Sequence, residues 1–239
     1  MIPVYNIVCE VVSTIESLRR QRLKEIEIII VDDGSTDSLA ELINYYASQD
    51  ERIRYVKFPE RKGAARCRNA GNKLARAPII CVVDAGDTNV RYRAEIVYNY
   101  FKKHPKIGVF CCAAMYEFNY WEEPHMPRVY RGKPGERLKF EHPAVAYRKE
   151  VAVKWPYRED CIDTDQYDAF FFTLKKKGVR FGITDEIVIS KLTLRNYKYG
   201  RNLDVGRMKK LENYREFGID IPEWLLDFEK NYKEVYGDS

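Results

Sequence analysis

The stretch IIIVDDGSTD, residues 28–37, joins an apolar run directly to a group of carboxylates. Four branched apolar residues lead into Asp32 and Asp33, and a third carboxylate follows at Asp37. A continuous apolar run is typical of a strand that is buried on both faces, because a half-exposed strand alternates apolar and polar residues. Asp32 and Asp33 are therefore predicted at the carboxyl end of a buried strand, where no residue nearby in the sequence pairs with them.

Strand and helix patterns alternate on both sides of this stretch. Strands are predicted over residues 2–5, 26–31, 52–58 and 78–83, and helices over residues 11–20, 38–47, 64–75 and 92–103. This order predicts an α/β fold with a parallel sheet and right-handed crossover connections. Ligands of such sheets bind beyond the carboxyl ends of the strands.

The pattern changes after Pro105. We expect a strand over residues 107–115, irregular chain over 116–141, a helix over 164–177 with Gly178 as its C-cap, a strand over 179–189 and two helices over 208–236. Because no clean linker separates these segments, one continuous body with a helical tail is predicted.

The composition is that of an ordinary soluble globular protein, with 45% apolar and 32% charged residues among 239. The net charge of +5 favours phosphate-bearing ligands or lipid head groups but is too small to predict nucleic-acid binding. Six cysteines without a CxxC pair predict reduced thiols. No apolar stretch reaches the ~20 residues that span a bilayer, and no signal peptide is evident. We therefore expect a cytoplasmic protein that attaches at most peripherally, at the cytoplasmic membrane surface.

Three predicted strand ends carry polar groups that can meet in one crevice. They are Pro3, Tyr5 and Asn6, then Asp32, Asp33 and Ser35, and finally Asp84 and Asp87. The basic loop RKGAARCRNAGN, residues 61–72, feeds a helix N-terminus, and both features attract phosphate. Carboxylates beside phosphates require a cation between them, and Mg²⁺ is commonly held by one or two carboxylates plus phosphate oxygens. The combination predicts a site for a nucleoside diphosphate and a metal ion.

Each cluster also has a structural explanation when it is taken alone. Asp32, Asp33, Asp84 and Asp87 can be turn and N-cap residues of the helices that follow them, and Arg66 and Arg68 can form a solvated helix face. The occurrence of three ligand-type clusters at successive strand ends favours a site.

The segments IPVYN, EIIIVDDGSTD, KGAARCRNAGN and VVDAGD resemble, in this order and spacing, the nucleotide-binding half of family 2 glycosyltransferases with the GT-A fold. The resemblance is strong over the first hundred residues and weak beyond them. It implies a Rossmann-like, mostly parallel central sheet flanked by helices, with an acceptor-side region and a helical C-terminal tail. The implied reaction moves a sugar from a nucleoside-diphosphate sugar, here a UDP-sugar, to an acceptor hydroxyl of a glycan, lipid-linked sugar or polysaccharide, with inversion.

The resemblance also implies a division of the chain. A single GT-A domain is expected over residues 1–203, with a nucleotide-sugar-binding half over 1–105 and an acceptor-binding and base-bearing half over 106–203. Residues 204–239 are expected to form a helical extension. The sequence does not indicate an oligomeric state.

Donor-binding residues follow from the resemblance by position. Tyr5 and Asp33 are expected to hold the nucleoside, with Asp32 and Ser35 beside them, and Arg66 to lie close to the diphosphate. The other donor-binding residues that the resemblance implies are Pro3, Asn6, Lys62, Asn69, Asp84 and Ala85.

The metal motif of the family is usually DxD, often extended to DxDD, whereas this chain has Asp84, Ala85, Gly86 and Asp87. Asp87 is expected to bind the divalent cation, Mn²⁺ or Mg²⁺, and Asp84 to contact the ribose or the metal. Gly86 stands at one of the acidic positions of the motif.

Inverting transfer also requires a carboxylate that removes the acceptor proton. In the family this base typically stands in a Glu-Asp pair before a helix, but residues 160–178 have no such pair at the expected place. Asp165 is the first candidate, Asp163 and Asp168 are the alternatives, and each of them can instead cap the helix that is predicted near Thr164.

Other readings of the chain are less consistent with the sequence. A phospho-acceptor receiver domain would leave the second half unexplained, and the GxGxxG and GxxxxGK[ST] motifs of dehydrogenases and P-loop kinases are absent. A catalytically silent GT-A protein that binds a nucleotide sugar or an assembly partner remains the alternative, because of Gly86 and the missing Glu-Asp pair.

Overall fold

The computed structural model describes residues 1–118, 128–130, 141–160 and 165–193. Strands β1 (Ile2–Val4), β2 (Ile28–Asp32) and β3 (Ile53–Lys57) form a parallel sheet in the order β1-β2-β3. All five residues of β2 are buried, which confirms the prediction of a strand covered on both faces.

Four helices follow the first four strands, as the alternating pattern predicts. They are α1 (Val11–Arg19), α2 (Leu39–Gln49), α3 (Ala64–Leu74) and α4 (Arg93–Lys103), which follows β4 (Ile79–Cys81) and the short strand β5 (Thr88–Asn89). Helices α1, α2 and α4 bury apolar residues, for example Val11, Val12 and Ile15 of α1, whereas α3 also buries the polar side chains Arg68, Asn69 and Asn72. The parallel strands are thereby covered on both sides.

A second, mixed sheet contains β4 and all of the later strands that the structure describes. It runs in the order β4-β8-β6-β9-β5, with β6 (Val109–Phe118), β8 (Val145–Arg148) and β9 (Phe181–Thr193), and β7 (Arg128–Tyr130) pairs with β6. The β4 strand pairs with β8 antiparallel, and β6 pairs with β9 in parallel. The second half of the chain therefore supplies the hydrogen-bonding partner of β4, which sequence analysis placed in a parallel sheet.

Strand β1 lies between the two sheets. The backbone N–H of Val83 donates to the Met1 carbonyl, at 3.2 Å, and the Met1 amino group donates to the Cys81 carbonyl, at 3.1 Å. On its other side β1 pairs with β2. These bonds align the carboxyl ends of β1, β2 and β4.

The remaining described elements are a 3-10 helix (His142–Ala144), α5 (Lys149–Lys154) and α6 (Asp165–Lys176). Helix α6 agrees with the helix predicted over 164–177, and Gly178 after it has a φ of 73°, as a C-cap glycine does. The two helices predicted over 208–236 lie outside the described residues. None of the helices that the structure describes is both long enough and apolar enough to cross a bilayer.

Candidate functional site

Asp33 fastens the loop that precedes α3 to the end of β2. Its Oδ1 accepts hydrogen bonds from the backbone N–H groups of Lys62, at 2.6 Å, and Gly63, at 3.0 Å, and its Oδ2 accepts from Gly63 at 2.9 Å. The backbone N–H of Asp33 donates to the Val4 carbonyl, at 2.9 Å, which joins it to β1. Asp33 therefore connects the end of β1, the end of β2 and the N-terminus of α3.

Asp32 is fully buried and holds the turn that follows β2. Its Oδ1 accepts from the Ser35 backbone N–H at 2.7 Å, and its Oδ2 accepts from the Tyr55 hydroxyl at 2.5 Å. Burial, and next the hydrogen bond to Asp32, raise the pKa of Tyr55 well above its usual value. Asp32 thus acts as a turn residue in this structure, which is one of the structural roles that the sequence allowed. The N-cap of α2 is Ser38, and no side chain forms a capping hydrogen bond there.

Asn6 and Ser35 bind each other across the ends of β1 and β2. The Asn6 backbone N–H donates to Ser35 Oγ at 2.9 Å, and Asn6 Oδ1 accepts from the Thr36 backbone N–H at 2.8 Å. Asn6 has a φ of 46°, in the left-handed region that asparagine tolerates. The two strand ends are therefore held side by side, as expected from their sequence.

Tyr5 is the exposed aromatic residue at this edge. The Arg61 guanidinium carbon lies 4.3 Å from the centre of the Tyr5 ring, and Arg61 Nε lies 3.9 Å from Asp33 Oδ2. Pro3, two residues earlier in β1, pairs with Val31. A flat ring beside a carboxylate and a guanidinium is suited to a nucleobase, since the ring can stack and the charged groups can form hydrogen bonds.

Arg66, expected near a diphosphate, forms an ion pair with Glu159. Arg66 Nε donates to Glu159 Oε2 at 2.9 Å, and the buried Asn69 donates to Glu159 Oε1 at 3.0 Å. Asn69 also binds both the backbone N–H and the carbonyl of Tyr157, at 2.9 Å each. Helix α3 therefore holds the segment that follows α5, and Glu159 is a site-edge carboxylate that sequence analysis missed.

Asp84 and Asp87 lie on one turn after β4. The Asp87 backbone N–H donates to the Asp84 carbonyl at 3.3 Å, and the Thr14 hydroxyl contacts both the Gly86 N–H, at 2.8 Å, and the Asp87 carbonyl, at 2.9 Å. Gly86 has a φ of 100°, which L side chains rarely adopt. The turn explains why glycine replaces an acid there. Neither aspartate is the N-cap of α4, which is Tyr92.

Arg68 lies behind this turn and is almost completely buried. Its Nη2 donates to Asp84 Oδ1 at 3.0 Å and to the Tyr167 hydroxyl at 3.1 Å. Burial opposes the charge of Arg68, but the nearby Asp84 carboxylate, together with Tyr167 and Tyr157, offsets this and the pKa of Arg68 is raised. The solvated helix face proposed as an alternative is therefore wrong for Arg68, although Arg66 is exposed.

The residues of this turn are compatible with a divalent cation that is shared with a ligand. The Asp84 side chain is 27% exposed, whereas Asp87 is 6% exposed. In the described part of the chain, no group of three or more His, Cys, Asp or Glu side chains could hold a metal ion. One or two carboxylates are sufficient when phosphate oxygens complete the coordination, as is common for Mg²⁺.

The predicted base residues are only partly within the described chain. Asp163 lies outside the described residues, and Asp165 begins α6, but the side chains of Asp165 and Asp168 are not described. Between them, the ring of Tyr167 stacks on the buried His142, with ring centres 3.9 Å apart. Sequence analysis did not identify Tyr167.

The thiol prediction agrees with the structure over the described residues. Cys9, Cys67, Cys81, Cys111 and Cys112 are present as thiols, and Cys161 lies outside the described residues. Burial, and next the nearby Asp33 carboxylate, raise the pKa of Cys67 well above its usual value. This thiol is therefore a poor nucleophile.

The fold resembles that of solved glycosyltransferases. Residues 1–349 of TarS from S. aureus, in complex with UDP, superpose with a TM-score of 0.63 at 17% identity, covering 98% of this chain and 71% of that chain. The mannosyltransferase PcManGT from Pyrobaculum calidifontis, in complex with GDP-Man and Mn²⁺, gives a TM-score of 0.62 at 14% identity, covering 99% of this chain and 69% of that chain. At these identities the likeness shows the fold alone, and it confirms the GT-A-type α/β prediction.

Sequence comparison identifies the family. The model of glycosyl transferase family 2 matches residues 1–187, so this chain belongs to glycosyl transferase family 2. Glycosyltransferase GlyG of Streptococcus pneumoniae serotype 4 is 35% identical over 98 residues, which cover 41% of this chain and 33% of that relative. The match thus spans a third of the length of this curated relative.

Proposed function

We propose that this chain transfers a sugar from a nucleoside-diphosphate sugar to an acceptor hydroxyl with inversion, assisted by a divalent cation. The observation that carries the proposal is the position of α3. Its N-terminus is bound by Asp33 at the end of β2, and Arg68, farther along the same helix, binds Asp84 at the end of β4. The nucleoside candidates and the metal candidates therefore border one helix at one edge of the strands.

Each of these residues has a role in the proposed reaction. Tyr5 and Asp33 hold the nucleoside, and Arg66 exchanges Glu159 for the diphosphate. Asp87 and Asp84 would hold the divalent cation, which would supply positive charge to stabilise the departing nucleoside diphosphate. Asp165, with Asp163 and Asp168 as alternatives, removes the acceptor proton as the hydroxyl attacks.

The neighbours with similar folds suggest the donor class. TarS was solved with UDP and with UDP-GlcNAc, and PcManGT with GDP-Man. We propose a UDP-sugar as the donor and a carbohydrate or glycolipid as the acceptor, with a place in polysaccharide biosynthesis at the cytoplasmic side of the membrane.

Turnover with defined donors tests this proposal. Purified protein is incubated with UDP-GlcNAc, UDP-glucose and GDP-mannose, with and without Mn²⁺, and release of UDP or GDP is measured with water or added glycan as acceptor. We expect release from at least one donor and its loss in Asp87→Ala, because this carboxylate holds the cation, with the thermal unfolding midpoint as the folding control. Asp165→Asn should retain donor affinity but not turnover. Wild-type activity in Asp87→Ala would contradict the assignment.

A catalytically silent, nucleotide-sugar-binding protein is the second candidate function. Gly86, at an acidic place of the metal motif, favours it, because its backbone conformation suits glycine rather than aspartate. Such a protein would bind UDP or UDP-GlcNAc but release no nucleotide with any donor, with or without Mn²⁺. The same assay, accompanied by a binding titration, separates the two functions.

A further inference from the structure

Arg68 and Tyr167 join the two halves of the described chain directly behind Asp84. The Arg68 guanidinium carbon lies 4.8 Å from the centre of the Tyr167 ring, in addition to the hydrogen bond between Nη2 and the hydroxyl. Nη2 of the same guanidinium also binds Asp84 Oδ1. One buried cation therefore touches a donor-side carboxylate and the first turn of α6.

Tyr167 is in turn fixed by a chain of contacts that returns to α3. Its ring stacks on His142 with an interplanar angle of 15°, and His142 Nε2 lies 2.9 Å from the Tyr157 hydroxyl. The Tyr157 hydroxyl donates to the Tyr147 hydroxyl at 3.4 Å, and the Tyr147 hydroxyl donates to Asn72 Oδ1 of α3 at 3.0 Å. The Tyr167 ring thus has little freedom to move relative to α3.

The ion pair between Arg68 and Asp84 is better explained as a contact that orients Asp84 than as one that stabilises the fold. Replacing such a pair by apolar side chains of similar volume is often neutral or stabilising, because desolvation of both charges is costly. The pair does, however, hold one oxygen of the partly exposed Asp84 carboxylate, which restricts the direction of the other oxygen. Tyr167 applies the same restraint to the start of α6, where Asp165 and Asp168 lie two residues before it and one residue after it.

We propose that Arg68 and Tyr167 are positioning residues, which set the donor-side carboxylate Asp84 and the base-bearing first turn of α6 at a fixed separation. This inference rests on the proposed glycosyl transfer and adds two residues that act through others. A displacement of about 1 Å between reacting groups can lower a rate about 100-fold, so a lost restraint should affect turnover more than binding.

The test is Tyr167→Phe, which keeps the ring on His142 and removes only the hydroxyl that Arg68 binds. Tyr46→Phe is the matched control, because it also removes one hydroxyl from a buried tyrosine, but this tyrosine lies beside Glu16 and Arg19 and outside the chain of contacts that fixes Tyr167. For both variants we measure the Kd of UDP by calorimetry, the rate of UDP or GDP release from UDP-GlcNAc and GDP-mannose with Mn²⁺, and the thermal unfolding midpoint.

We expect Tyr167→Phe to lower the release rate at saturating donor at least tenfold, with its Kd for UDP within twofold of wild type. Tyr46→Phe should leave the rate unchanged even if its unfolding midpoint falls equally. Equal rates for the two variants in an active protein would overturn the positioning role alone. No nucleotide binding and no release in the wild type would instead overturn the proposed function.

Discussion

Gly34 determines how closely the loop before α3 approaches the end of β2. It has a φ of 78°, and a Cβ built there would lie 2.7 Å from the Glu60 carbonyl carbon and 2.8 Å from the Arg61 nitrogen. Both are backbone atoms, so the loop itself would have to move. The loop carries Arg61 and the two N–H groups that Asp33 binds, and this glycine therefore shapes the proposed nucleoside site.

We predict that Gly34→Ala destabilises the protein more than Gly178→Ala does. Gly178 also has a positive φ, of 73°, but a Cβ there meets nothing within 4 Å, so only left-handed strain of roughly 1–2 kcal/mol is expected. Gly34→Ala adds a backbone clash, typically a further ~1–3 kcal/mol. Urea unfolding of both variants measures the difference. Equal destabilisation of the two variants would show that the loop at Glu60 and Arg61 moves aside without a loss of stability.

At the residue scale, the chemistry of the site was predictable but its partners were not. The types and order of Tyr5, Asp33 and Asp84 follow from the sequence. The N–H groups that bind Asp33 lie 29 and 30 residues away, and no local pattern links them to it. Burial of Arg68 depends on Asp84 and Tyr167, 16 and 99 residues away, which is why the sequence left a solvated helix face open as the alternative.

At the element scale, α3 is the helix on which the proposed site depends. Its N-terminus faces Asp33, its middle binds Asp84 through Arg68, and its exposed Arg66 pairs with Glu159. Arg66 is the arginine that we expect to bind a phosphate group, and in this structure the Glu159 carboxylate binds it instead. In the proposed function, the donor phosphates would compete with Glu159 for Arg66.

We predict that Glu159→Gln tightens UDP binding. The exposed pair contributes ~0.2–1 kcal/mol, so removing the charge should lower Kd by at most about fivefold, while the glutamine oxygen can still accept from Asn69. Asp160→Asn is the control, because Asp160 pairs with Arg158 instead. Calorimetric titration with UDP measures both. An unchanged Kd in Glu159→Gln would argue against phosphate contact by Arg66.

Most elements of the first half were predictable, because the helices have a clear period and strand β2 is a continuous apolar run. Strand β2 and helices α1 to α4 agree with the predicted segments to within a few residues. Strand β8 was missed because its apolar run is short and directly continues a 3-10 helix. The antiparallel partner of β4 therefore could not be identified, since pairing between distant segments leaves no local signal.

At the scale of the whole molecule, family and fold were predictable, whereas the acceptor side was not. Four motifs in fixed order identify the nucleotide-binding half, because strand ends impose both residue type and spacing. The second half depends on loops whose sequence has no comparable period. The predicted division at residues 105 and 203, the base and the acceptor remain predictions.

The central claim is that Asp33, Arg66 and Asp87 serve one bound nucleoside diphosphate. A crystal structure of this chain with UDP and Mn²⁺ tests it most directly. We predict uracil on Tyr5 within hydrogen-bonding distance of Asp33, phosphates beside Arg66, and the ion between those phosphates and Asp87. UDP bound at another surface, or an ion held without Asp84 or Asp87, would contradict the account.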